Sequence, residues 1–194
     1  MSVSRDQYYF RSYRGTMGLA PGYRVGGVIT TSVLTGMLLS HSLHSTPLLL
    51  QSDNHRTILE QFRLLKVHST RTAMDLALTT SLFFSATSII RLRYDDIFGS
   101  LRYIFASVAV LGLLPYHYLI MGGTERRLAT LYSEEVNQPP GAFISRPMTR
   151  EVVVKGEVRE LVDRWGLLNL GRVVGVAVGL FVGPVADYLF YSDS

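Results

Sequence analysis

Apolar runs long enough for a bilayer alternate with polar segments along this chain, and their spacing is helical rather than strand-like. The first run covers residues 25–44, and Pro47 is placed to end it. Residues 51–67 turn polar and then amphipathic: Thr57 with Glu60 resembles a capping box, and Ile58, Leu59, Phe62 and Leu65 mark an apolar side. A second run covers 73–90, with His68, Arg71, Thr72, Asp75 and Thr79 on one helical face at its entry. A polar turn containing Arg91, Arg93, Asp95, Asp96 and Arg102 leads to a third run, 103–121, which carries Pro115-Tyr116-His117-Tyr118 near its end. Residues 123–148, with Glu134-Glu135 and Pro139-Pro140, read as a long polar loop. Val154, Val158, Leu161 and Trp165 then suggest an amphipathic helix feeding the last run, 163–183.

This pattern predicts an all-α protein: an integral membrane four-helix bundle with a long polar loop and an amphipathic helix before the last span. A polar, aromatic N-terminal arm occupies 1–23 and a single four-helix transmembrane domain 24–191, without internal repeats. If the helices cross in turn, the end of the first, the start of the second, the end of the third and the start of the fourth share one side of the membrane. His41, His44, His68, Arg71, Asp75, Tyr116, His117, Asn169 and Arg172 all belong to those ends. One polar pocket would hold them, and the opposite halves carry few ionisable groups before Asp187.

The last run adds two features. Gly171, Gly175, Gly179 and Gly183 recur every fourth residue, a stripe that lets helix backbones approach closely in lipid and offers a surface for a homo-oligomer. Trp165, Asn169 and Arg172 share an adjoining face, and an intramembrane arginine needs a partner or a task.

Composition agrees with a multi-pass membrane protein in contact with lipid. Of the 194 residues 47% are hydrophobic and 18% charged, while a mean hydropathy of +0.22 requires real polar loops. The formal charge of +4 comes without a basic tract, so it suits membrane flanks and not a nucleic-acid partner. The arginines before residue 25 precede an apolar run without a small-residue cleavage site, which points to a retained span. The absence of cysteine excludes disulfides and thiolate chemistry.

Each pocket residue has a structural reading beside the chemical one. Asp75 and Arg172 could form an ion pair locking two helices, the histidines could be core hydrogen-bonders, His55 a solvated loop residue and Trp165 an interfacial anchor. The chemical reading is acid–base work in a dry site: a His beside a guanidinium resists protonation and can accept a proton, and Arg172 can then hold the anion that forms. Axial ligation of a haem or metal by His41 or His44 opposite His117 is an alternative. The Glu-x-x-His, Cys-x-x-Cys-His and His-Glu-x-x-His patterns of such proteins are absent, and no metal site is predicted.

Several pieces of the chain resemble the anthrone oxygenase family, small four-span membrane proteins that include fungal polyketide-pathway enzymes. They are Ser45-Thr46-Pro47-Leu48-Leu49-Leu50 after the first run, Leu59-Glu60-Gln61-Phe62, Leu114-Pro115-Tyr116 before Arg126-Arg127-Leu128, and above all the segment 157–172 that contains Asp163-Arg164-Trp165-Gly166-Leu167-Leu168-Asn169-Leu170-Gly171-Arg172. The resemblance spans roughly 25–185. The chain departs from the family pattern at Asn169, where a His is frequent, and at Gly123-Thr124, where a Pro-x-Asn is frequent. The resemblance implies a secondary-metabolite oxidoreductase of the monooxygenase type that converts a polyketide-derived anthrone to the anthraquinone with O2 as co-substrate, without flavin, haem or metal. On that reading His41 or His117 is the base, Arg172 holds the oxyanion and Asp75 orients a His or Arg71. His44, His68, Arg71, Tyr116, Trp165 and Asn169 would line the substrate. A non-catalytic scaffold or carrier, or a haem or quinone redox module, stays open beside it.

Overall fold

In the computed structural model, residues 19–94, 96–136 and 148–191 are described, and every element among them is helical. Four long helices result. Helix α1 runs from Leu19–Ser40 through a π-turn at His41–Ser45 into Thr46–Leu50, and α2 is His55–Leu92. Helix α3 joins Ile97–Leu111, Leu113–Tyr116, a π-turn at His117–Met121 and Gly122–Val136, and α4 joins Met148–Leu180, a π-turn at Phe181–Val185 and Ala186–Tyr191. Three helical segments, His55–Leu92, Ile97–Glu135 and Glu151–Leu189, are long and apolar enough to cross a membrane. The segment Leu19–Ser40 is not among them: its apolar run begins only after Arg24, and glycine and hydroxyl residues dilute it.

Several boundaries differ from the sequence reading for identifiable reasons. Pro47 does not end α1: it follows the π-turn, in which the Thr46 N–H reaches back to the His41 carbonyl, so the ladder has already shifted by one residue before the missing proline donor. The cap of α2 is Asn54 rather than Thr57. Its Oδ1 accepts the Arg56 N–H at 2.9 Å, while Glu60 is engaged by Arg56 at 3.3 Å. Most of the expected loop 123–148 is helix as far as Val136, and Leu128 and Leu131 on it are buried. Residues 137–147 of that loop, Asp95 and residues 1–18 of the N-terminal arm lie outside the described residues.

Each helix contributes one segment to each of two compact units, without a linker between them in the chain. The first unit comprises the described residues of 1–34, 75–112 and 175–194. Its outward surface is largely apolar, with Leu82 71%, Phe98 78% and Phe181 62% exposed, as lipid-facing positions require. Its interior sets large side chains such as Leu34, Phe84, Tyr103 and Val110 among small and hydroxyl residues that bring helices close. Ser107 bonds Ser81 at 2.7 Å and Ser85 at 3.0 Å, Ser88 bonds Ser100 at 2.8 Å, and Thr80 donates to Thr30 at 2.8 Å. The glycines have the same use. A Cβ on Gly183 would meet Ala106, and one on Gly179 would meet the Ala106 carbonyl and Val110. At those positions the glycine stripe, expected as a surface between copies, is filled by α3 of the same chain.

An ionic cluster completes this unit. Asp187 is 1% exposed; it receives Arg91 at 2.6 Å, Arg24 at 2.8 Å and the Tyr103 hydroxyl at 3.2 Å. Arg91 also pairs with Asp96 at 2.6 Å, and Asp96 caps α3 by accepting the Gly99 N–H at 2.9 Å.

The second unit comprises 35–74 and the described residues of 113–174. Its core is Leu49, Ile58, Leu59, Phe62, Met121, Leu128, Leu131, Val158, Val162 and Trp165, drawn from all four helices. The amphipathic segments read from the sequence before the second and fourth runs supply it, joined by the unexpected stripe on α3. At about 25 cal/mol per Å² of apolar area, each such large side chain contributes about 1.5–3 kcal/mol on burial.

Candidate active site

The second unit holds most of the predicted pocket. His41, His44, His68, Arg71, Tyr116, His117, Trp165, Asn169 and Arg172 fall within it, whereas Asp75 falls in the first unit. Burial then separates these residues. Arg172, Asn169, Trp165 and His117 are buried, His41 and Tyr116 are half-buried, and His44, His68, Arg71 and Asp75 are exposed. His68, Arg71, Thr72, Asp75 and Thr79 do share one face of α2, but it is the outward one; the inward face carries Ser69, Ala73, Ala77 and Thr80. Small residues win the inward positions because they permit close helix approach. Asp75 is therefore a surface residue of the first unit and not the buried partner expected for Arg172, and among the described residues it is seen in no ion pair.

Arg172 finds other neighbours. Its Nη1 donates to Asn169 Oδ1 at 3.2 Å, one helical turn earlier. The carboxylate that acts on it is Glu125, and Arg172 in turn acts electrostatically on both His41 and His117. Tyr116 is held by donating from its hydroxyl to the Leu168 carbonyl at 3.0 Å, in the space that Gly171 leaves by lacking a Cβ. Gly166 similarly admits Thr46.

Glu125 is the residue the sequence reading missed. It is 4% exposed; its Oε1 accepts the Trp165 indole N–H at 3.1 Å, its Oε2 lies 3.0 Å from Lys66 Nζ, and His117 Nδ1 stands 3.7 Å from Oε1. Trp165 is also packed against Phe62, edge-on at 5.1 Å between ring centroids. Fully buried, Trp165 is a core residue that orients a carboxylate, not an interfacial anchor. The signal that could have exposed Glu125 is a helical stripe: His117, Met121, Glu125, Leu128 and Leu131 are all buried along α3. His55, expected to be solvated, is likewise buried and lies 3.3 Å from buried Glu135.

Among the described residues, two of the three π-turns begin at His41 and His117. Such turns offset the backbone ladder and recur at functional sites. Thr46 Oγ1 donates to the His41 carbonyl at 2.9 Å, and His41 Nδ1 lies 3.4 Å from Ser45 Oγ. In this cluster Arg172 Nε and Asn169 Nδ2 are buried without a hydrogen-bond partner, while His117 Nδ1 faces Glu125 just beyond hydrogen-bond distance. Buried polar groups normally find partners, and groups left waiting mark a place where a ligand can supply them. Among the described residues no group of three or more His, Cys, Asp or Glu side chains could hold a metal ion.

Comparison with known proteins decides the family. The family model for anthrone oxygenase matches residues 62–182, more than half of the chain. The chain belongs to the anthrone oxygenase family. The matched region contains Lys66, His117, Glu125, Trp165, Asn169 and Arg172, whereas His41 and His44 precede it. Among curated relatives of this family member, anthrone oxygenase encC of Aspergillus fumigatus is 31% identical over 157 residues, covering 76% of this chain and 84% of the relative. Anthrone oxygenase tpcL of the same fungus is 26% identical over 157 residues, covering 80% of this chain and 87% of the relative. No solved structure matches the chain.

Proposed function

We propose that this protein is a membrane-embedded oxygenase that converts a polyketide-derived anthrone to the anthraquinone with O2, without a cofactor, in the second unit. The observation that carries this reading is the buried cluster of His117, Asn169 and Arg172, with Arg172 Nε and Asn169 Nδ2 left unpartnered, in a chain of this family. His117 is the base, with His41 the second candidate. Removing a proton from the methylene between two aromatic rings gives an anthranolate whose oxyanion Arg172 receives. That electron-rich anion passes one electron to O2, and the carbon radical and superoxide combine to a peroxide at the same carbon. Protonation of the peroxide, removal of the second methylene proton and cleavage of the O–O bond release water and leave the new carbonyl. One anthrone and one O2 give one quinone and one water, so the substrate is the reductant and a proton shuttle with anion stabilisation suffices.

Membranes containing the protein, supplied with an anthrone, should form quinone with matching O2 uptake. Chelators should leave the rate unchanged, and the purified protein should show no flavin or haem band. Loss of turnover on chelation, restored by one metal, would contradict the cofactor-free step. Substrate binding without acceleration over air oxidation would leave a carrier.

All four helices crossing the membrane is part of the same proposal, with α1 the first span. The chain has no cysteine, so single introduced cysteines report topology directly. Gly22→Cys and Arg93→Cys should label from one side of sealed vesicles and Ser52→Cys from the other; Gly22→Cys labelling with Ser52→Cys would show that α1 does not cross.

A further inference from the structure

We propose that Glu125 is the positioning residue of this site: it fixes the ring of His117 with its proton on Nδ1 and leaves Nε2 as the free base. The inference deepens the reading of His117 as base and rests on it. An ionised carboxylate only accepts hydrogen bonds, so a bare Nδ1 lone pair facing Oε1 at 3.7 Å would set acceptor against acceptor. A proton on Nδ1 turns the same contact into an attraction. The contact is a little longer than a hydrogen bond, as such pairs often are before substrate binds.

The carboxylate is held at both oxygens. Trp165 fixes Oε1, Lys66 fixes Oε2, and Phe62 packed edge-on against the indole keeps Trp165 from turning. This rigidity separates Glu125 from an ordinary ion-pair partner. Lys66 is 31% exposed and reaches solvent without help, so burial of the carboxylate is unnecessary for the lysine alone. During turnover the proton taken from the anthrone methylene goes to Nε2, forming an imidazolium that Glu125 faces. Protonation of the peroxide returns that proton, and the second methylene proton follows the same route to the departing hydroxide. Glu125 gains and loses no proton in this cycle; it holds the ring through both trips. Arg172 stays free to serve the substrate oxyanion.

The test is a 15N NMR measurement of the His117 tautomer in detergent, together with steady-state anthrone oxidation by the full-length protein. Wild-type protein should show Nδ1–H and a bare Nε2. Glu125→Met, which removes every acceptor at similar size, should move the proton to Nε2 and lower kcat by about 100-fold with little change in KM. Glu125→Gln, which keeps a carbonyl acceptor but no charge, should keep the Nδ1–H signature and lose turnover through the unsupported imidazolium. Wild-type protein with its proton on Nε2 overturns the proposal even if no variant folds, and so does Glu125→Met with unaltered tautomer and kcat. Full turnover in His117→Ala, or none in the wild type, defeats the underlying reading of the base; the tautomer still decides whether Glu125 orients the ring.

Discussion

Arg172→Lys is expected to leave the protein folded and to lower anthrone turnover by about 100-fold, the usual cost of losing one anion-stabilising donor. The charge survives this substitution and the planar fork of donors does not. In the native protein Nη1 is committed to Asn169 Oδ1, while Nε is buried with no partner. One edge of the guanidinium is therefore anchored and another remains open to an oxyanion. A lysine ammonium can satisfy Asn169 or the substrate but lacks the rigid geometry to do both. Arg172→Met removes the cation as well and should reduce turnover further, while Lys66 remains as the cation against Glu125. The control is Asp75→Leu: Asp75 is exposed, so stability should change by no more than about 0.5 kcal/mol and activity should persist. Full kcat in the lysine variant, with unchanged melting in detergent, would make Arg172 a packing residue.

The reach of the sequence into this site follows from what helical periodicity can and cannot say. Trp165, Asn169 and Arg172 were legible because an arginine inside an apolar run demands an explanation, and the 3.6-residue repeat puts the other two on its face. His117 followed from its place at the end of the third run. Periodicity also grouped His68, Arg71, Thr72, Asp75 and Thr79 correctly, but it gives relative positions around a helix and not which side faces inward. The small residues of the opposite face settle that, through close packing. Glu125 was hidden for a different reason. Its neighbours Arg126 and Arg127 are exposed, and averaged over a window they make the segment look like a loop, although Leu128 and Leu131 are buried beside it. The π-turns at His41 and His117 left no readable pattern, since they depend on backbone hydrogen bonds shifted by one residue.

Asp187→Leu is expected to be the most destabilising single substitution in the first unit, at about 3–5 kcal/mol. Asp187 has no exposed side-chain surface and is the shared acceptor for Arg24, Arg91 and the Tyr103 hydroxyl. Removing it takes one of the carboxylate partners from the guanidinium of Arg91, whose side chain is only 15% exposed, while the pairing with Asp96 stays. Arg24 is 35% exposed and can recover some hydration, which places the loss toward the lower end of that range. For a chain of this length about 3 kcal/mol corresponds to a melting temperature lower by roughly 6–12 °C. The decisive comparison is Arg24→Met combined with Asp187→Leu. That double variant removes one charge of each sign and leaves Arg91 paired with Asp96, so most of the lost stability should return, because a buried ion pair can often be exchanged for apolar side chains. Thermal unfolding in detergent of the wild type and of both variants measures the difference. A double variant no more stable than Asp187→Leu alone would show that the carboxylate stabilises this unit through Arg91 and Tyr103, with Arg24 only an onlooker at its edge.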